Sequence, residues 1–158
     1  MTSKERVLQR ERDRGRLDAL DLAARALELD GTALIAEEDK IPAWSETAVY
    51  TTDHVGCPVQ DAGQVYTILM PHTPAHNPGA RPADLRAIYS LQHTKDPKKA
   101  KPWMASYGTS GLYNVDECAV DASHVWRNTY ANNEFAPSVL PERWEDLGTV
   151  EEVQGGGG

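Results

Sequence analysis

A chain of 158 residues with one Phe, four Trp, six Tyr, 12 Gly and 10 Pro has too little aliphatic material for one large core. It fits small units that lean on aromatic rings. The formal net charge of −8 argues against binding to nucleic-acid phosphates, which requires clustered Lys and Arg. There is no apolar run near twenty residues and no apolar segment after the charged N-terminus, so neither a membrane span nor a signal peptide is expected, and the chain reads as soluble and made in a cytoplasm.

Residues 1–31 read as an N-terminal helix. Thr2 followed by Glu5 resembles a capping box, and Gly31 suits the position just past a helix end. Leu17, Leu20, Ala24 and Leu27 fall at three-four-three spacing, a seam for oligomerisation or docking, while Arg10, Asp13 and Gly15 break that seam upstream. The helix either packs on the rest of the chain or associates with other chains; association is favoured, with a homotrimer preferred.

Thr32–Ala36 is a short apolar run that predicts a strand, and Glu37, Glu38 and Asp39 a solvated connector. A first β-module is expected over 32–92. Its best strand is Gln64–Met70, entered by the Asp61-Ala62-Gly63 turn, and Pro71, Pro74, Pro78 and Pro82 then forbid ladder structure because proline donates no N–H. Ala83–Tyr89 reads as a helical turn or a closing strand. Residues 93–102, with four lysines and two prolines, read as a linker, solvated or a basic contact patch. A second module is expected over 103–150, with Thr149–Gln154 as a terminal strand and 151–158 as a flexible tail.

The best-patterned stretch is Leu112–Arg127, two short strands around a turn with Trp103 before it and Trp144 after it. A weaker copy lies between Trp44 and Tyr89, closing on Leu85 or Tyr89 where the second copy has Trp144. Modules this small must bury aromatics, at about 150–250 Å² each. Cys57 and Cys118 fall at nearly corresponding places, one per module, and read as buried thiols more readily than as a bridge between the modules.

The second module resembles the chitin- and cellulose-binding modules of carbohydrate-binding families 5 and 12. Tyr113 stands for the family's Tyr, Ala119 for its Val, Trp126 for the strand aromatic and Pro141-x-x-Trp144 for the closing pair. Asp116-Glu117 departs from the family's Gly-Asp, and His124 follows a turn without the usual Gly. The first module matches at Trp44, Tyr50, Val59, Gly63, Tyr66 and Pro82. From about Asp30 to Leu147 the order of elements also resembles small virion-associated proteins of tailed phages and prophages.

That resemblance implies a mainly β protein: an N-terminal α-helix as coiled-coil or docking stalk, then two small antiparallel β-modules. It implies a non-catalytic tail- or fibre-type virion accessory protein, made in a bacterial host cytoplasm and displaying glycan-binding modules. The competing reading is a purely structural virion protein whose modules bind virion neighbours. An accessory region of a secreted carbohydrate-degrading enzyme is disfavoured, since no catalytic domain is recognisable.

Sugar binding needs flat, exposed rings for pyranose C–H faces and polar neighbours for the hydroxyls. Trp103 and Tyr107, beside Gly108 and Gly111, are the rings expected to be most exposed, with Tyr113, Trp44 and Tyr50 as further platforms; Trp126 and Trp144 are expected in the core. His72 and His76 have the spacing of a helical zinc pair, but Pro74 between them denies a shared helical face. Ser106, Ser110 and Ser123 lack a nucleophile-elbow setting, no Gly-rich loop opens a helix, and no carboxylate dyad is marked. The expectation is therefore no catalysis, no cofactor and no metal. The expected partners are other virion proteins through the helix and a host polysaccharide, with neither nucleic acid nor membrane.

Overall fold

The computed structural model of the chain describes residues 2–4, 6 and 19–155. The fold is mainly β, in two small sheets. Strands β1 (Pro58–Asp61), β2 (Gln64–Ile68) and β3 (Tyr89–Leu91) form an antiparallel sheet in that order. Strands β4 (Lys101–Pro102), β5 (Cys118–Asp121), β6 (His124–Asn128) and β7 (Trp144–Thr149) form the other, with β4 parallel to β5 and the rest antiparallel.

The two units follow one path. Each central hairpin closes on an Asp, paired with Gln64 in one and His124 in the other. Both turn residues have positive φ in each hairpin: Ala62 at 50° and Gly63 at 78°, Ala122 at 51° and Ser123 at 65°. Such turns match the right-handed twist of the flanking strands, which selects them for two-residue connections. Ahead of each hairpin a tryptophan N–H bonds the first strand, Trp44 to the Gln60 carbonyl at 2.8 Å and Trp103 to that of Val120 at 2.9 Å. After it, Ile68 pairs with Tyr89 as Asn128 pairs with Trp144. Tyr89, rather than Leu85, therefore takes the place of the closing tryptophan.

Aromatic burial builds both cores. Trp44, Tyr50, Tyr66 and Tyr89 pack with Val59, Ile68 and Leu91 in unit one. Unit two has two smaller clusters, Tyr113 with Ala119 and Trp144, and Ala100 with Cys118 and Val125. Trp144 is buried as expected, whereas Trp126 is half-buried, its indole N–H bonded to the Asp121 carbonyl at 3.0 Å. Both thiols are free, Cys57 half-buried and Cys118 buried.

Three expected elements differ. Residues 31–36 are helix α2 (Gly31–Ala36), not a strand, because the Asp30 carboxylate accepts the Ala33 N–H at 2.9 Å and so caps a helix start. Its buried Leu34 and Ile35 lie one after the other, a spacing that a short apolar run shares between helix and strand. The C-terminal strand ends at Thr149, whose hydroxyl accepts the Glu152 N–H and starts helix α3 (Val150–Val153). Val150 and Val153 pack on the Val125 cluster, so this segment belongs to unit two rather than to a flexible tail; residues 156–158 lie outside those described.

The third difference is the linker. His93, Thr94 and Ala100 are buried, Thr94 bridges Cys118, and Lys101–Pro102 is itself a strand. Two of its four lysines are paired: Lys99 lies 3.5 Å from the Glu38 carboxylate, and Lys101 bonds the same group. The segment fastens the units together, and Gln64 adds a hydrogen bond to the Pro102 carbonyl at 2.7 Å.

At the N-terminal side, helix α1 is described over residues 19–25 and ends in a tight turn, Ala26–Glu28. Leu22 and Ala26 are its buried residues, packed with Leu34, Ile35, Ile41 and Val65. Each large side chain buried this way contributes about 1.5–3 kcal/mol. The helix thus docks on unit one through Leu22 and Ala26, which are not residues of the expected seam. Of that seam, Leu20 is 56% exposed and Ala24 is exposed. Leu17 and the Leu27 side chain lie outside the described residues, as do Glu5, Arg10, Asp13 and Gly15.

Candidate functional site

The five expected platform residues separate into core and surface. Trp44, Tyr50 and Tyr113 are buried, because each uses its polar atom to close a loop. The Trp44 indole N–H donates to the Tyr89 hydroxyl at 3.0 Å, the Tyr50 hydroxyl accepts the Ser45 N–H at 3.0 Å, and the Tyr113 hydroxyl accepts the Met104 N–H at 3.4 Å. A sugar ring cannot stack on them. Trp103 is half-buried against the Tyr113 cluster, its indole N–H buried and without a partner among the described residues. Tyr107 alone of the five is exposed, at 58%.

Tyr107 opens a tight turn. It exchanges both backbone hydrogen bonds with Ser110 at 2.9 Å, and Gly108 between them sits at φ 58°. The turn carries Thr109 and Ser110 onto a cleft of about 230 Å³ where the two units meet. Ser90 and Gln92 line it from unit one; Asn114, Glu117 and Asn132 line it from unit two. Apart from the Glu117 carboxylate these are hydroxyls and amides, which can both donate and accept. The Ser90 and Ser110 hydroxyls lie 3.4 Å apart, and the Gln92 amide donates to the Ser90 carbonyl at 3.2 Å.

His93 forms part of the floor. Its Nε2 lies 2.8 Å from the Gly111 carbonyl, which accepts, so Nε2 carries the proton. Burial drives its pKa down to about 4 against the raising effect of that carbonyl, with the Arg86 charge lowering it further. Arg86 is buried, donates to the Ala105 carbonyl at 2.7 Å, and has Nε and Nη2 without partners among the described residues. Glu117 accepts the Asn114 N–H at 2.6 Å; burial raises its carboxyl while that hydrogen bond and Lys95 oppose the rise. Among the described residues lining the cleft it is the one carboxylate, and the nearby Asp30 charge adds to its rise.

The remaining expected groups are structural in geometry. His72 is buried, with Nδ1 2.7 Å from the Tyr89 hydroxyl and Nε2 2.8 Å from the Asn77 amide oxygen, whereas His76 is exposed. The chain Trp44–Tyr89–His72–Asn77 is a hydrogen-bonded brace for the proline-rich loop. Among the described residues no cluster of His, Cys, Asp and Glu is placed to hold a metal ion, and no helix is long and apolar enough to cross a membrane. A separate apolar cavity of about 340 Å³ lies between Ala19, Leu20 and Ala23 of α1 and Tyr50, Cys57 and Ile68 of unit one.

Compared with known proteins, the chain matches no protein-family model and no curated sequence.

Sequence reasoning missed the cleft's amides and two exposed rings, Tyr130 and Phe135. Asn128 gives the signal that was available. It sits in a strand where unit one has Ile68 and is wholly buried, so it must spend its amide on the loop that follows.

Proposed function

We propose that the chain is a non-catalytic virion accessory protein of a tailed phage, of tail or fibre type, whose tandem β-units contact a host-surface glycan. The observation that carries this reading is the exposed Tyr107 opening the turn that carries Thr109 and Ser110 onto a cleft of hydroxyls and amides at the junction of the units. A ring and a set of two-way hydrogen-bonding groups are what a sugar needs. A glycosidase uses two carboxyl groups flanking the scissile bond, and among the described residues lining the cleft Glu117 is the one carboxylate, which favours binding over hydrolysis.

The exposure of Leu20 and Ala24 supports α1 joining other virion proteins or further copies of the chain, a trimer being favoured. The exposed Leu69 and Met70 on unit one favour a second reading, a structural virion protein whose units bind neighbours in the tail, neck or capsid.

Pull-down on insoluble chitin and cellulose separates the two. The glycan reading expects the full chain to be retained and the Tyr107→Ala variant to be washed through with its melting temperature unchanged. Equal passage of both proteins through both polysaccharides would leave only the structural reading.

A further inference from the structure

Unit two carries an aromatic pair that the cleft does not use. Tyr130, in the loop after β6, and Phe135 are 49% and 38% exposed. Between them lies Arg143, the last residue of the Pro141–Arg143 turn, its guanidinium carbon 3.7 Å from the Tyr130 ring centre and 5.4 Å from that of Phe135.

The buried interior holds all three in place. The Asn128 amide oxygen accepts the Tyr130 N–H at 3.2 Å, and that of Asn133 accepts the Phe135 N–H at 3.0 Å. The Phe135 carbonyl accepts the Trp144 indole N–H at 3.0 Å, and the Arg143 carbonyl accepts from Thr129 at 2.9 Å. The stack is preorganised, so a ligand would not have to order it.

Arg143 has no carboxylate within ion-pair distance among the described residues. Its face is occupied by Tyr130, which leaves the N–H groups along its edge directed away from the ring. Unit one supplies the contrast. Arg81 there lies 5.0 Å over Trp44 but is bonded to the Asp61 carboxylate, and Met70 follows β2 where Tyr130 follows β6. One unit neutralises its cation internally and has Met70 in place of the ring; in the other the cation has no carboxylate partner among the described residues and the Tyr130 ring stays 49% exposed.

We propose that Tyr130, Phe135 and Arg143 form a platform for an acidic sugar, a pyranose whose C–H face stacks on the rings and whose carboxylate pairs with Arg143. The inference rests on reading the β-units as glycan-contacting surfaces and names the sugar class of a second site. Aromatic faces suit pyranose rings, and a planar guanidinium suits a carboxylate bidentately. An acidic peptide fits less well, since the patch is built from loops and a tight turn and offers no strand edge for a peptide backbone. The exposed Glu134 and Glu142 adjoin it in sequence without pairing with Arg143, and a bidentate charge-assisted contact is stronger than repulsion between solvent-exposed charges.

Calorimetric titration of the full chain with hexagalacturonate, its methyl ester and hexaglutamate tests this. The acid should bind about ten-fold more tightly than the ester, the difference one charge-assisted pair makes. Arg143→Gln should erase that preference, Tyr130→Ala should weaken both forms and Tyr130→Phe should restore them, with unchanged melting temperatures throughout. Equal affinity for acid and ester would overturn the proposal, as would hexaglutamate binding with the same dependence on Arg143 and Tyr130. If neither galacturonate binds but chitohexaose does, this site falls and the cleft stands; if no sugar binds, both fall.

Discussion

His93 lies flat on Tyr113, ring centres 3.6 Å apart and planes 15° from parallel, and so ties the segment between the units to the core of the second one. The stack buries a titratable ring next to the Arg86 charge, which fixes His93 as the neutral species. Its folded pKa of about 4 lies below the 6.5 of an unfolded histidine, so between those values the unfolded chain binds the extra proton. Stability from this group is therefore full above pH 6.5 and falls as pH drops toward 4, by up to about 3 kcal/mol. Chemical denaturation at pH 7 and pH 4.5 should show this loss in the wild type and a clearly smaller one in His93→Gln.

Asn128 is the polar hub of unit two. Its amide nitrogen faces the carbonyls of Tyr113, Asn114 and Tyr130 at 2.9, 2.8 and 2.6 Å, and its oxygen accepts from Tyr130 and Asn133. Asn128→Ala strands several buried groups together and should cost about 3–4 kcal/mol in urea unfolding. A loss below about 1 kcal/mol would mean that water replaces the amide.

Ser123 occupies a left-handed position, φ 65°, which unit one gives to Gly63. A side chain there costs about 1 kcal/mol, so Ser123→Gly should raise stability by roughly that much. No side-chain bond of Ser123 is lost in the exchange, because its recorded contact is the backbone carbonyl accepting from Val150.

Gly31 is kept small by contact rather than by conformation. A Cβ on it would fall on the His93 carbonyl oxygen. Gly31→Ala should shift α2 away from the segment between the units and destabilise the chain by about 1–3 kcal/mol, read as an earlier thermal midpoint.

The hairpins were legible because their information is local. Asp61-Ala62-Gly63 and Asp121-Ala122-Ser123 carry turn chemistry between alternating strands, and the closing residues repeat in register. Helix α2 was not, since Leu34 and Ile35 suit either period and Gly31 reads as the residue past the first helix, which hides the Asp30 cap of the next. The linker misled for a different reason: Lys99 and Lys101 look solvated until Glu38, far off in sequence, comes to meet them. Platform residues divided along the same line. Tyr107 could be placed on the surface by its neighbouring glycines, whereas the burial of Trp44, Tyr50 and Tyr113 depends on acceptors and donors that only the fold assembles. Tyr130 and Phe135 lie in loops without periodicity, where sequence pattern carries no burial information.

Glycan contact through Tyr107 and the inter-unit cleft is tested most directly by titrating the full chain with chitohexaose and cellohexaose while following the Tyr107 ring by NMR. Saturable shifts at Tyr107, Asn114 and Asn132, with affinity falling about ten-fold in Tyr107→Ala, are the predicted result. Shifts that avoid the cleft, or binding that Tyr107→Ala leaves intact, would contradict it.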